Sequence, residues 1–158
     1  MGLHVLERTQ RLAPPPEEVF PFFSDAATLE RITPPWLGFR IATAQPIEMR
    51  RGTLIDYRLK LHGIPLSWHT EIALWDPPHR FVDVQLSGPY RLWHHTHSFE
   101  PDGEGTLMRD VVRYALPLGP LGEIAHLVLV RRDLSRIFDF RVEEVARLMA
   151  SGPPSYTK

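Results

Sequence analysis

The sequence predicts an α+β protein in which a long antiparallel sheet is followed by one long helix. From Gly38 to Leu116, apolar and polar residues alternate with the period of two that is typical of β-strands. Beyond Gly119-Pro120, apolar residues recur at spacings of three and four, which indicates an amphipathic helix. The turns between the strands are short, and short turns join antiparallel neighbours. The helix must therefore lie across the sheet to bury its apolar stripe.

Composition indicates a single domain over residues 1–158. With 43% hydrophobic and 23% charged residues, a chain of 158 residues can bury a stable hydrophobic core without disulfides or metal ions as cross-links. A formal net charge of -1, with no block of like charges, predicts no nucleic-acid partner. Cysteine is absent, which excludes disulfides, thiolate ligands and a cysteine nucleophile. Without a signal-peptide pattern or a bilayer-length apolar run, we expect a cytoplasmic protein with no integral membrane association.

Residue usage favours a heat-adapted source. Lys60 and Lys158 are the only lysines, asparagine is missing, and 16 prolines concentrate at element junctions. Arginine-rich composition and proline in loops are both features of thermostable proteins.

The N-terminal third predicts one strand and two short helices. Alternation over Leu3–Leu12 indicates the strand. The prolines at 14–16 end it and begin a helix, and Glu17-Glu18 complement the helix dipole. Ser24-Asp25 caps a second short helix, which Thr33-Pro34-Pro35 ends.

The remaining segments complete the sheet and supply the long helix. The predicted strands are Phe39–Ala44, Thr53–His62, Ile64–Trp75, Phe81–Ser87, Tyr90–Phe99 and Thr106–Leu116. The long helix follows Gly119-Pro120, and Ser151-Gly152-Pro153-Pro154 is expected to end it.

The local sequence resembles a bacterial SRPBCC ligand-binding group of the START-like superfamily. The segments that carry the resemblance are Thr33–Phe39, Phe81–Tyr90, Trp93–Phe99 and Gly105–Pro117. The resemblance covers essentially the whole chain and implies the helix-grip fold. In that fold a curved seven-stranded antiparallel sheet, two short helices and a long C-terminal helix enclose a cavity. It implies a small apolar ligand, and no catalytic residue carries over, because the superfamily includes carriers, receptors and cyclases.

Strand parity predicts which side chains would line that cavity. Alternate residues of a strand share one face, so the more apolar face of each strand is expected to point towards the helix. The predicted wall consists of Tyr57, Leu59, Trp68, Ile72, Trp93, Met108 and Val112 from the sheet, facing Leu127, Leu134 and Phe138 from the helix.

A polar cluster is predicted on the same face. His95 and His97 share the parity of Trp93, and either register of the following hairpin brings Asp110 opposite one of them. A carboxylate raises the pKa of a facing imidazole and fixes its tautomer. The cluster could fix strand register, anchor a ligand or serve as an acid/base. Parity leaves open whether Asp83 and Gln85 face the cavity.

The same histidines have the His-x-His spacing of a metal site on a strand, with Asp110 as a third ligand. Spacing alone is weak support, so no metal and no cofactor is predicted.

Three functions follow from these residues. The favoured one is binding of a small hydrophobic molecule (a lipid, isoprenoid or polyketide-like compound), since no nucleophile motif or cofactor loop is present. The alternatives are a polyketide-type cyclase or dehydratase with His95 or His97 as base, and a regulatory module that binds a protein partner. For a ligand anchor, Asp110→Asn is expected to weaken binding while leaving the fold intact.

Overall fold

The computed structural model describes residues 2–150 and has the predicted helix-grip architecture. The strands are β1 His4–Leu12, β2 Arg40–Ile41, β3 Leu54–Leu61, β4 Ile64–Asp76, β5 Arg80–Ser87, β6 Leu92–Asp102 and β7 Gly105–Ala115. The helices are α1 Pro16–Phe23, α2 Ala26–Arg31, a 3₁₀ turn Pro35–Leu37, α3 Gly119–Ala125, a π-helical segment His126–Val130 and α4 Arg131–Ala150.

All seven strands form one antiparallel sheet in the order β1-β7-β6-β5-β4-β3-β2. β3 to β7 form the meander that the short turns predict, β2 joins it through the longer segment 42–53, and β1 pairs with the far side of β7. The register places His97 opposite both Asp110 on β7 and Phe81 on β5, and it places His95 opposite Asp83. Residues opposite each other share a face, so these five side chains lie on one face of the sheet.

A register shift in β4 changes which side chain points inward. The pairing of β4 with β5 slips between Ile72 and Leu74. Beyond that point the parity is reversed, and the Trp75 ring lies 5.1 Å from Phe20 and 5.5 Å from Phe81. Uninterrupted alternation from Trp68 and Ile72 would place Leu74 on this side instead.

The two short helices close one end of the sheet with aromatic side chains. α1 begins at a proline, and Asp25 caps α2 by accepting a hydrogen bond from the backbone N–H of Ala27 at 2.9 Å. Phe20, Phe22 and Phe23 of α1 are buried in the larger core cluster. A helix this short is held by such tertiary burial and not by its own propensity.

The long helix differs from its prediction in its first turns. A π-helical segment interrupts it, and the buried positions there fall at steps of four: Gly122, His126 and then Leu134, with Val130 half-buried between them. Leu127, predicted to face the cavity, is therefore 74% exposed. The physical reason is that a π turn contains more residues than an α turn. Leu127, inside the π segment, therefore does not lie on the face that an uninterrupted α-helix would give it. The predicted end at Ser151 to Pro154 lies outside the described residues.

Helix α4 lies along the β1 edge of the inner face. Arg8 on β1 donates to Asp139 at 2.9 Å and to Ser135 at 2.8 Å, and Gln10 donates to the carbonyl of Val142 at 3.3 Å. This position covers β1 and β7 and leaves room over the strands further along the sheet. No helix within residues 2–150 is long and apolar enough to cross a membrane.

Candidate functional site: an apolar cavity with a polar floor

A cavity of about 180 Å³ lies between the sheet, α2 and α4. A cavity that holds one water molecule needs only roughly 10–15 Å³, so this space is large enough for a small organic molecule. The predicted wall residues that line it are Tyr57, Leu59, Trp68, Ile72, Trp93, His95, His97, Leu134 and Phe138. Most of the remaining lining is also apolar.

Four of the predicted site residues do not lie on this wall. Met108, Asp110 and Val112 are on the inner face of β7 and buried, but α4 covers that strand, so its side chains form core. Val112 packs with Leu134 in the smaller core cluster. Leu127 faces away because of the π turn. Parity determines the face of a strand, but not how far the helix extends over it.

Aromatic rings form the sides of the cavity. Trp68 and Trp93 meet edge to face, with ring centroids 4.9 Å apart, and Tyr90 lies 4.8 Å from Trp93. Burial raises the pKa of Tyr57 and of Tyr90, so both hydroxyl groups remain protonated.

Four charged or titratable side chains, Asp83, His95, His97 and Arg141, form the floor, and Asp110 lies buried beneath them. We refer to these five residues as the cavity polar cluster. His97 Nε2 donates to Asp83 Oδ2 at 2.6 Å, and His95 Nε2 donates to Asp110 Oδ1 at 2.9 Å. His97 Nδ1 also faces Asp110 Oδ1, at 3.2 Å. The two imidazoles stack with centroids 3.7 Å apart. The register of β5, β6 and β7 alone brings these four groups together.

Arg141 of α4 fixes this arrangement from the helix side. Its Nε donates to Asp110 Oδ2 at 2.9 Å, and its Nη2 donates to Asp110 Oδ1 at 3.2 Å. Both side chains are buried, with Asp110 3% and Arg141 5% exposed. A bidentate pair of this kind is a strong and geometrically specific interaction. Asp110 therefore acts as the hub of the cluster, bound by both histidines and by the helix.

The surroundings set the charge of the hub and of His97. Burial would raise the pKa of Asp110, but Arg141 and the hydrogen bonds from His95 and His97 outweigh it and hold that pKa well below its usual range. Burial would lower the pKa of His97, yet hydrogen bonds to Asp110 and Asp83 raise the pKa above its ordinary value. The raised pKa favours the charged form of His97 between two carboxylates, while Arg141 Nη2 lies 3.1 Å from its Nδ1.

His95 and Asp83 take the complementary states. Burial and the neighbouring charge of His97 lower the pKa of His95, which is accordingly neutral. Its Nε2 carries the proton shared with Asp110, so its Nδ1 has a lone pair, 3.6 Å from Asp83 Oδ2. Burial raises the pKa of Asp83, but His95, His97 and Arg141 more than offset this and lower it. The floor presents a carboxylate and an imidazole lone pair to the cavity.

The sequence predictions missed one member of the cluster and left another open. Strand parity leaves open which face of β5 carries the Asp83 side chain. The pairing of Asp83 with His95 places it on the cavity wall. Gln85 instead bonds the backbone of Tyr90, at 2.7 Å. Arg141 was not singled out, although the pattern contained a signal. It occupies an inward position of the helix stripe between Phe138 and Val145, where a charge requires a buried partner.

Three members of the cluster also have the spacing of a metal site, because one ligand atom each of Asp83, His95 and His97 lies within 4.8 Å of the others. Both carboxylates, however, already have cationic or imidazole partners within the cluster: Asp110 pairs with Arg141 and His95, and Asp83 pairs with His97.

An open antiparallel sheet that grips a long helix over an apolar cavity defines the START-like, SRPBCC class of proteins. Sequence comparison gives the family within that class. The chain belongs to the family described as "Polyketide cyclase / dehydrase and lipid transport", which matches residues 4–150. A search of curated proteins found no significant match.

Solved structures with this fold cover nearly the whole chain at low sequence identity. TTHA0849 from Thermus thermophilus is 20% identical, with a TM-score of 0.70 over 95% of this chain and 99% of its own. The protein Ara h 8.0201 is 16% identical, with a TM-score of 0.68 over 96% and 100%. The Zhui aromatase/cyclase from Streptomyces sp. R1128 is 17% identical, with a TM-score of 0.66 over 96% and 99%. At these identities the likeness establishes the fold.

Proposed function

We propose that the protein binds a small, largely apolar molecule with a hydroxyl or carbonyl group, such as a lipid, isoprenoid or polyketide-like compound. The observation that carries this proposal is the position of Asp83, His95 and His97 at the floor of an otherwise apolar cavity. Ligand sites commonly combine apolar walls with a few fixed polar groups. The proposed setting is the cytoplasm, as the cysteine-free composition favours.

The polar floor has the groups that a hydroxyl-bearing ligand needs. The Asp83 carboxylate and the Nδ1 lone pair of His95 accept hydrogen bonds, so a ligand hydroxyl can donate to either. Arg141 also lines the cavity, and no hydrogen bond to the described residues engages its Nη1. That group is available for a ligand carbonyl. Asp110 and the stacked ring of Phe81, 4.0 Å from His97, hold the floor in place.

A pair of matched probes tests the polar anchor directly. 2-Naphthol and naphthalene have the same ring system and differ by one hydroxyl group. Competition of each compound with a fluorescent apolar dye would give its affinity. We expect naphthol to bind about tenfold or more tightly than naphthalene, since a hydrogen bond to a charged group contributes about 1.5–3 kcal/mol. Asp83→Asn should remove most of this difference while the affinity for naphthalene is kept.

The matched control is Asp56→Asn. Asp56 also pairs with a histidine, His69, but it lies on β3 away from the cavity lining. This variant should keep the wild-type preference for naphthol. If neither probe binds, or if Asp83→Asn and Asp56→Asn behave alike, the cavity floor is not a ligand anchor. Native mass spectrometry of the purified protein would then identify any molecule that co-purifies.

A second candidate is a cyclase or dehydratase, favoured by the state of His95. It is neutral, its Nδ1 lone pair lies near the cavity-lining Asp83, and Asp110 orients it through Nε2. These are the attributes of a general base. In a dehydration, such a base takes the proton α to a carbonyl, a C=C bond forms, and the β-hydroxyl leaves as water after gaining a proton.

The variant His95→Gln distinguishes the two candidate functions, ligand binding and dehydration. A β-hydroxyketone probe that forms a conjugated enone on loss of water allows the reaction to be followed by absorbance. For an enzyme, His95→Gln should retain dye and naphthalene binding but lose turnover by about 100-fold or more. For a binding protein, the wild type itself shows no turnover above the buffer rate.

A further inference from the structure

A second histidine cluster lies at the β1 edge of the sheet, apart from the cavity. We refer to His4, Glu123 and His126 as the edge cluster. His4 Nε2 lies 3.0 Å from Glu123 Oε2, and the imidazoles of His4 and His126 stack with centroids 3.5 Å apart, so one ring must turn out of the stack for both to hold a single ion. One ligand atom from each of the three residues lies within 4.8 Å of the other two. Two imidazoles and one carboxylate are a common ligand set for a transition metal.

His126 of the edge cluster has an unpaired ring nitrogen. The residue is only 6% exposed, and its Nδ1 has no hydrogen-bond partner within residues 2–150. A buried polar atom without a partner is costly and calls for an explanation, of which an ion is one. His126 also begins the π-helical segment that interrupts the long helix, and such segments are frequent at functional sites. The wide turn costs helix regularity and brings this imidazole to the cluster.

Tyr114 occupies the other nitrogen of the ring. Its hydroxyl lies 2.8 Å from His126 Nε2. When Nε2 carries the proton and donates it to the tyrosine oxygen, Nδ1 is left with the lone pair that a metal ion requires.

We propose that the edge cluster is a binding site for a divalent transition metal ion, with His4, Glu123 and His126 as ligands and Tyr114 as the group that orients His126. Imidazole and carboxylate donors suit Zn²⁺, Co²⁺ and Ni²⁺, whereas Mg²⁺ and Ca²⁺ prefer oxygen ligands alone. Three protein ligands leave a coordination position for water. The site is reachable, because the side chains of His4 and Glu123 are 20% and 35% exposed.

The charges near the edge cluster have two opposite effects on metal binding: Glu123 favours a bound cation and Arg131 opposes it. With neutral imidazoles, the edge cluster has one negative charge, on Glu123, and the described residues place no buried arginine against it in the way that Arg141 pairs with Asp110. Arg131 follows His126 by one π-helical turn, with its backbone N–H bonded to the His126 carbonyl, and its positive charge opposes a bound cation. Arg131→Gln is therefore expected to strengthen metal binding.

The probe for the experiment is Co²⁺, followed by its visible absorption on protein that has no polyhistidine tag, with Zn²⁺ as competitor. The wild type should bind a single Co²⁺. Glu123→Gln and His4→Gln should each weaken binding about tenfold or more, and Tyr114→Phe should weaken it about tenfold. His62→Gln is the matched control, because His62 pairs with Asp133 at 2.6 Å on the surface and has no third ligand among the described residues. It should leave Co²⁺ affinity unchanged.

A further variant separates the two histidine clusters. Asp83→Asn removes one of the two carboxylates of the cavity polar cluster, the one in the candidate metal triad with His95 and His97, and Co²⁺ binding should survive it. The proposal is overturned if the wild type binds no Co²⁺, if Glu123→Gln and His4→Gln bind it normally, or if Asp83→Asn alone abolishes binding. The two ligand variants keep the test decisive should substitution of the buried His126 prevent folding.

Discussion

The cavity polar cluster and the edge cluster each stack two imidazoles beside a carboxylate, but their surroundings differ. In the cavity, His97 lies between Asp83 and Asp110, and Arg141 neutralises what remains. At the edge, His126 has one neutral partner at Nε2 and none of the described residues at Nδ1. His97 thus has partners at both ring nitrogens, whereas His126 keeps a buried nitrogen with no partner among the described residues.

This difference shows that the neighbours of a histidine, and not its presence, decide what a site can bind. A cluster whose hydrogen bonds and charges are complete can offer its outer atoms to a polar group of an organic ligand. A cluster with an unused lone pair and excess negative charge has the properties of a cation site. Each of the following predictions changes one side of this contrast.

The largest effect is expected at the hub of the cavity polar cluster. Asp110→Asn leaves Arg141 as a buried cation without its carboxylate, and breaking a buried pair in this way costs about 3–5 kcal/mol. Glu123→Gln in the edge cluster, where both partners are partly exposed, should cost less than about 1 kcal/mol without metal. Urea unfolding of both variants measures the difference. Equal losses would remove the contrast between the two clusters.

A large loss of stability in Asp110→Asn would contradict the expectation from the sequence that this substitution leaves the fold intact. That expectation treated Asp110 as a group facing the ligand. The structure instead places it under α4 as the partner of Arg141, with Asp83 on the cavity wall. The ligand-binding variant is therefore Asp83→Asn.

A comparable loss is expected in the aromatic end that closes the cavity. Phe22→Ala and Phe23→Ala should each lower stability by about 3–5 kcal/mol, because both rings are buried. Of these two rings, Phe23 lines the cavity, with the Arg141 guanidinium 5.6 Å from its ring centroid. Phe23→Ala should also change the affinity for naphthalene, and Phe22→Ala should not. Dye competition on the folded fraction of each variant separates packing from ligand contact.

A smaller effect, dependent on pH, is expected from Asp83→Asn. The pKa of His97 is raised in the folded protein, so its charged form contributes stability that is present below the ordinary value of 6.5 and is lost as pH rises through the raised pKa. Removal of Asp83 takes away part of this contribution, about 1.5–3 kcal/mol for a charged hydrogen bond. The deficit of the variant should thus be larger near about pH 6 than near about pH 9. A deficit independent of pH would show that His97 is not charged there.

The sequence predicts the fold and three of the five members of the cavity polar cluster. Alternation along β6 and β7 places His95, His97 and Asp110 on one face, because a period of two leaves only the register open. The helix stripe is equally clear from Leu134 onward. These features depend on local periodicity, which a single sequence contains.

The remaining features depend on contacts that periodicity does not encode. The β4 bulge after Ile72 brings Trp75 inward, and the π-helical segment takes Leu127 away from the cavity. The role of Arg141 follows from its pairing with Asp110 on β7, which lies 31 residues earlier in the chain. His4 and Glu123, 119 residues apart, meet because β1 pairs with β7 and α3 follows that strand. Local irregularities and distant pairings therefore set the limits of the sequence predictions.

Separate roles for the two histidine clusters are tested most directly by a crossed calorimetric titration of two ligands against two variants. Wild type, Asp83→Asn and Glu123→Gln are each titrated with 2-naphthol and with Co²⁺. We expect Asp83→Asn to lose about tenfold or more in naphthol affinity and to keep Co²⁺. We expect Glu123→Gln to lose about tenfold or more in Co²⁺ affinity and to keep naphthol. Loss of both ligands in both variants, or the reverse pattern, would contradict the assignment of separate roles to the two clusters.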